Sequence, residues 1–159
     1  MTLFIKRDTV CGNAGFIVSD ELGRQKYAVT SEAGAGIRMT MYSCAEEIVS
    51  VIKYNRLMLN YFTISCCRRF YVLIPVAAEE LSYAIYGSTY KFVRGSSAEC
   101  FSILNAEGEI VMSHKKVWNG AGDYYELEIK DEAHELFLLS CAICADVYVS
   151  FGQTEVITA

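Results

Sequence analysis

Apolar and polar residues alternate with a period of two along most of this chain. Tyr125, Leu127 and Ile129 fall on one face of a run whose other face is Tyr124, Glu126 and Glu128. Ile37, Met39 and Met41 stand in the same way against Arg38, Thr40 and Tyr42. Successive side chains of a strand point to opposite faces, so each run predicts a strand with one buried face. Residues 70–74 are apolar without a break, which predicts a strand covered on both faces. Turn-forming residues cut the runs at short intervals, at Gly12-Asn13, Asp20-Glu-Leu-Gly23, Gly34-Ala-Gly36, Tyr54-Asn55, Gly87-Ser88, Gly95-Ser-Ser97, Asn105-Ala-Glu-Gly108 and Asn119-Gly-Ala-Gly122. This punctuation predicts roughly eleven or twelve strands.

One segment breaks the pattern. Asp131-Glu-Ala-His-Glu135 leads into an uncharged run at 136–145, closed by Asp146. A helix that is apolar all round must be buried, and in a chain of strands the sheet can bury it by wrapping around it. The fold predicted is mainly β: a closed barrel of about twelve strands around a central hydrophobic C-terminal helix at about 131–146. The run is shorter than the roughly 20 apolar residues of a membrane-spanning helix. Asp131 is expected to cap the helix through its carboxylate, with Glu132 and Glu135 placed where the helix dipole favours acids. Asp146 is expected at the barrel mouth, bonded to backbone amides or an arginine, since a buried carboxylate needs partners.

A weak repeat is visible. Phe16-Ile-Val18-Ser-Asp20-Glu-Leu-Gly23 parallels Phe101-Ser-Ile103-Leu-Asn105-Ala-Glu-Gly108, each reading as strand, short turn closed by glycine, strand. This suggests one domain over 1–159 built from two half-barrels, about 1–78 and 79–151. The chain is long enough for a substantial core. Its hydrophobic content of 53%, with 11 Tyr and 8 Phe, fits many strands. The single proline, Pro75, leaves little room for a disordered linker.

A net charge of −5 argues against a nucleic-acid partner, which needs a basic footprint. Local basic groups can still act at short range, because screening hides distant acids. Three doublets stand out: Lys6-Arg7, Arg68-Arg69 and Lys115-Lys116. Within a strand, neighbours point to opposite faces, so a doublet presents both side chains outward only near a turn. Arg68, Arg69, Lys115 and Lys116 border expected turns and are the candidates for binding an anionic headgroup; solvated charge is their bland reading. The seven cysteines, with no recognisable signal peptide, predict a cytoplasmic protein whose thiols are reduced and pack as small core residues.

Residues 137–148, Phe-Leu-Leu-Ser-Cys-Ala-Ile-Cys-Ala-Asp-Val-Tyr, resemble the terminal segment of phospholipid scramblases and LURP-one-related proteins, where an apolar helix rich in small residues runs into an aspartate and aromatics. The preceding Trp118…Tyr124-Tyr-Glu-Leu-Glu-Ile129-Lys-Asp131 is similar to their last strand. The resemblance covers 101–151 best, and it implies the Tubby C-terminal-like superfamily: a closed barrel of about a dozen strands around a hydrophobic helix. It implies little about function: Tubby domains bind phosphoinositides through basic residues on the barrel surface, scramblases are linked to calcium-dependent lipid movement, and LURP-one-related proteins are mostly of unknown function. The chain departs from the scramblase pattern. It shows no acidic calcium loop beside the helix and no proline-rich or cysteine-rich N-terminal extension, so no functional residue of the family is carried over.

The remaining constellations read as structural. Cys141-Ala-Ile-Cys144 has redox spacing but lies within an apolar run, where a reactive thiol would need an electropositive, partly exposed place. His134-Glu135 opens a zinc-protease pattern whose second histidine position is Leu138. Asp131, His134 and Glu135 are explained by the helix start, and His114 is expected to be solvated or at the barrel rim. Gly34-Ala-Gly36 lacks the third glycine of a dinucleotide loop, with Met39 in its place. No metal, cofactor or catalytic group is expected. The function predicted is a non-enzymatic module that recognises anionic phospholipid or phosphoinositide headgroups, cytoplasmic and peripheral at the membrane. The alternative is a protein-interaction or structural domain with no lipid activity.

Overall fold

The computed structural model describes residues 1–8, 15–56, 59–76, 82–95, 97, 100–119 and 122–158, with side chains described up to 149 except at 8, 118, 119, 122 and 123. Twelve strands run in chain order: β1 (Thr2–Asp8), β2 (Gly15–Asp20), β3 (Gln25–Ala33), β4 (Ile37–Ser43), β5 (Ile48–Asn55), β6 (Tyr61–Cys66), β7 (Arg69–Pro75), β8 (Tyr83–Tyr86), β9 (Lys91–Arg94), β10 (Phe101–Leu104), β11 (Ile110–Asn119) and β12 (Gly122–Ile129). A 3-10 turn, Glu132–His134, then leads into helix α1, Glu135–Thr158.

The sheet is an antiparallel meander rolled into a nearly closed barrel, in the order β8-β7-β6-β5-β4-β3-β2-β1-β12-β11-β10-β9. β1 closes the wall against β12, with Leu3 opposite Leu127 and Ile5 opposite Tyr125. The seam lies between β8 and β9, which are neighbours with no backbone ladder between them.

The period-two pattern sets the inward face. Leu3, Ile5, Val18, Met39, Ile52, Phe62, Ile64, Leu73, Ile103, Met112, Leu127 and Ile129 point inward and are fully buried. α1 occupies the interior, and every residue from 137 to 147 is buried, including Ser140 and Asp146. Each Leu or Ile so buried contributes about 1.5–3 kcal/mol. The polar helix residues find partners. Ser140 donates to the Leu136 carbonyl at 2.7 Å, which leaves Ser50 to donate across the core to Ser140 at 2.8 Å. The thiols of Cys141 and Cys144 are raised by burial and serve as core packing.

Several expectations need correcting. α1 begins at Glu135 rather than about 131, and it continues past Asp146. Asp131 makes no side-chain capping bond to the turn that follows it; its Oδ2 instead accepts from the Tyr90 hydroxyl and meets His134 Nδ1. Asp146 is buried inside the barrel, paired with an equally buried His114, Nε2 to Oδ1 3.1 Å. The inward row of β11 carries His114 to this position, opposite Leu127. Residues 70–74 alternate in burial: Tyr71 and Leu73 face inward, while Phe70 is 60% exposed. Tyr54 and Asn55 belong to β5. Gly12-Asn13 lies outside the described residues. No described helix is long and apolar enough to cross a membrane.

Candidate functional site

The meander brings the β2–β3, β4–β5, β6–β7, β8–β9 and β10–β11 turns to the rim where α1 begins. The β6–β7 turn is unusual there. Cys66 pairs with Arg69, so Cys67 and Arg68 form a two-residue loop. Their φ angles are 51° and 59°. A hairpin loop of this kind needs left-handed backbone at both positions and normally uses Asn-Gly. Left-handed backbone costs an ordinary residue about 1–2 kcal/mol. Among the described residues, the third non-glycine with positive φ is Glu46, at 61°, in the adjoining β4–β5 turn.

The tip presents cations beside apolar surface. Arg68, Arg69 and Phe70 are exposed. They border an open groove of about 400 Å³, with Ile48, Val49 and Ser50 on its other side and no acidic residue among its lining. Ile48 is 59% exposed. On the outer wall Phe70 continues into Val72, which pairs with exposed Tyr86.

Arg69 also borders a second cleft of about 440 Å³ at the barrel mouth. Its other walls include Ser88, Thr89, Tyr90, Glu107, Asp131 and His134. Asp131 accepts from the Tyr90 hydroxyl and lies 2.9 Å from His134 Nδ1. These two partners, Tyr90 first, hold its carboxyl below the usual carboxylate range. Burial, and then the bond to Asp131, pushes Tyr90 up. Next to this cleft Glu135 accepts from Lys26 at 2.7 Å and from Tyr27 at 3.0 Å, which fixes the start of α1 to β3. The second cleft therefore mixes both signs of charge, whereas the groove beside Phe70 carries only cations.

The four predicted headgroup residues occupy two surfaces. Arg68 and Arg69 share the tip. Lys115 points outward from β11 and is paired with Glu126 at 3.1 Å. Lys116 lies on the inward row opposite Tyr125 and is half-buried. β8, β9 and β10 stand between the two pairs, about 19 Å around the wall at normal strand spacing.

The deep end of α1 is built differently. Aromatic rings form a continuous chain from Phe62 through Tyr54, Tyr148, Tyr83, Phe92 and Phe101 to His114 and Tyr125, with successive centroids 4.2 to 6.5 Å apart. The imidazole of His114 is sandwiched between Phe101 and Tyr125 while it holds Asp146. The Tyr83 hydroxyl is buried there without a hydrogen-bond partner among the described residues. This enclosed pair anchors the helix in the wall.

Sequence reasoning did not anticipate the β4–β5 turn, and it expected a turn beside Arg68-Arg69 without its left-handed backbone. The first had a signal: Ser43-Cys-Ala-Glu46 matches Asp20-Glu-Leu-Gly23 and Asn105-Ala-Glu-Gly108 in spacing, with glutamate in the glycine place. The left-handed backbone of the second had none, since Cys67-Arg68 is not a pair that favours it. No protein-family model matches the chain, and no curated protein matches it.

Proposed function

We propose that this barrel is a non-enzymatic binding module whose 66–70 hairpin docks on membrane surfaces bearing anionic phospholipid headgroups. The observation carrying the reading is the pairing of exposed Arg68, Arg69 and Phe70 at one strained tip with exposed Ile48 across a groove that no acidic residue lines. Basic residues near an anionic bilayer contribute about 1 kcal/mol each, and an aromatic at the same level adds apolar insertion. Arginine suits the role because its planar fork meets phosphate oxygens in pairs. The resemblance of residues 101–151 in sequence to the Tubby C-terminal-like superfamily, some of whose members bind phosphoinositides, points the same way.

Arg68 and Arg69 dominate in this account. Lys115 is held by Glu126, and Lys116 is half-buried. Co-sedimentation with anionic and neutral vesicles at low and physiological salt tests the reading. Selective binding that weakens with salt and is lost in Arg68→Ala/Arg69→Ala is expected. Equal binding by that variant removes the site. An apolar face of Phe70, Val72 and Tyr86 that captures a protein while the chain ignores vesicles would instead favour the interaction domain.

A further inference from the structure

The same hairpin holds two adjacent thiols in unequal settings. Cys66 ends β6, points inward opposite Ser50 and is buried. Cys67 opens the loop and is exposed. The left-handed backbone at Cys67, with φ 51°, turns the chain sharply between them. Their side chains interact directly: burial first, and then the neighbouring Cys67 thiol, pushes Cys66 up to about 12. One thiol therefore meets solvent reagents, and the other is held within reach behind it. Attacking and resolving cysteines are arranged in this way. The other described thiols lack the arrangement. Cys141 and Cys144 are buried in α1, Cys44 is exposed on a separate turn, and Cys100 is half-buried at the opposite rim.

We propose that Cys66 and Cys67 form a reversible oxidation site, with a hydroperoxide as the oxidant. The Cys67 thiolate attacks a peroxide oxygen and the O–O bond breaks. Its sulfur keeps a hydroxyl as sulfenic acid, and the other oxygen leaves as water or an alcohol with the thiol's proton. The Cys66 sulfur then displaces that hydroxyl, which departs as water with the Cys66 proton, and the S–S bond forms. Two thiols thus give up two protons and two electrons, and the peroxide becomes water plus water or an alcohol.

The bridge is strained. A trans peptide holds adjacent Cα atoms about 3.8 Å apart, short of the ~4.4–6.8 Å usual in disulfides. Strained, exposed bridges are the readily reduced ones, so the pair acts as a switch rather than a staple. Closing it draws Cys66 from its inward place and moves the tip that carries Arg68 and Arg69. The inference does not depend on what the hairpin binds.

The test is a mass measurement on the full chain. The protein is treated with hydrogen peroxide, quenched, denatured, alkylated and digested. The peptide holding both cysteines is expected to be two hydrogens lighter and closed to alkylation, with both thiols restored by dithiothreitol. Cys67→Ser is expected to leave Cys66 alkylatable after peroxide. Cys66→Ser is expected to leave Cys67 as a sulfenic acid trapped by dimedone. Should Cys66→Ser fail to fold, the wild-type and Cys67→Ser digests decide alone. A wild-type peptide in which Cys66 still takes the alkylating agent, or a bridge from Cys67 to Cys44, overturns the proposal.

Discussion

Three turns at the rim share one construction and differ at one residue. Asp20, Ser43 and Asn105 each accept amide hydrogen bonds two and four residues on, and each carbonyl accepts from the amide three residues on. In each, the residue three places on is left-handed: Gly23 at 74°, Glu46 at 61° and Gly108 at 83°. Two of the turns place glycine where the backbone demands it, and the β4–β5 turn places glutamate. The β6–β7 loop beside it goes further, with two ordinary residues in the left-handed region. The barrel itself does not require this strain, because Gly23 and Gly108 serve the same geometry without it. Strain gathered at two adjoining turns, around a groove with cations and exposed apolar residues, is what a working surface looks like.

The largest effect is expected in the barrel core that carries these turns. Leu139→Asp places a charge at the centre of the barrel and is expected to abolish cooperative folding, read by circular dichroism on heating. A cooperatively folded Leu139→Asp protein would remove α1 from the core. Next in size is the buried anchor. His114→Ala strips Asp146 of its imidazole and is expected to cost about 3–5 kcal/mol in denaturant unfolding. His134→Ala breaks a partly exposed pair and is expected to cost no more than about 1 kcal/mol.

At the tip, Arg68→Ala/Arg69→Ala is expected to weaken binding to anionic vesicles about 30-fold, from about 1 kcal/mol per cation. Lys115→Ala/Lys116→Ala is expected to have a much smaller effect in the same assay. The turns themselves give smaller shifts of opposite sign. Nothing stands within 4 Å of a Cβ added at Gly23 or Gly108, so alanine there tests the backbone alone. A loss of about 1–2 kcal/mol is expected at each, and a gain of up to about 1 kcal/mol for Glu46→Gly or Arg68→Gly. Arg68→Gly should therefore be more stable yet bind anionic vesicles less well, which separates strain from charge.

The smallest effect is a pH dependence. The folded state lowers the Asp131 carboxyl below its ordinary 3.8, so its contribution is complete above that pH and fades as pH falls through the folded value. The stability difference between wild type and Asp131→Asn should accordingly shrink on acidification below about pH 4. A difference that stays constant from neutral to strongly acidic pH would mean that the Tyr90 and His134 contacts do not favour the carboxylate.

Much of the architecture was legible because the barrel obeys local rules. Alternation at 37–42 and 124–129 marked inward faces, and an all-apolar run in a chain of strands marked the buried helix. What escaped was set by partners distant in sequence. Asp131 cannot be seen to favour Tyr90 over its own helix amides, and His114 cannot be seen to meet Asp146 through the wall. Phe70 looked buried because five apolar residues in a row leave no sign of which face is bare. The candidate site was half legible. Arg68 and Arg69 were marked by charge and by a turn expected beside them, but the left-handed backbone of that tip was not, because Cys67 and Arg68 carry no preference for it.

The most direct measurement is co-sedimentation of wild type and Arg68→Ala/Arg69→Ala with anionic and neutral vesicles, in parallel, at physiological salt. Wild type is expected to sediment with the anionic vesicles alone, and the variant, folded and monodisperse, to stay in the supernatant. Wild type and variant sedimenting alike would contradict it and leave the strained tip without the role assigned to it.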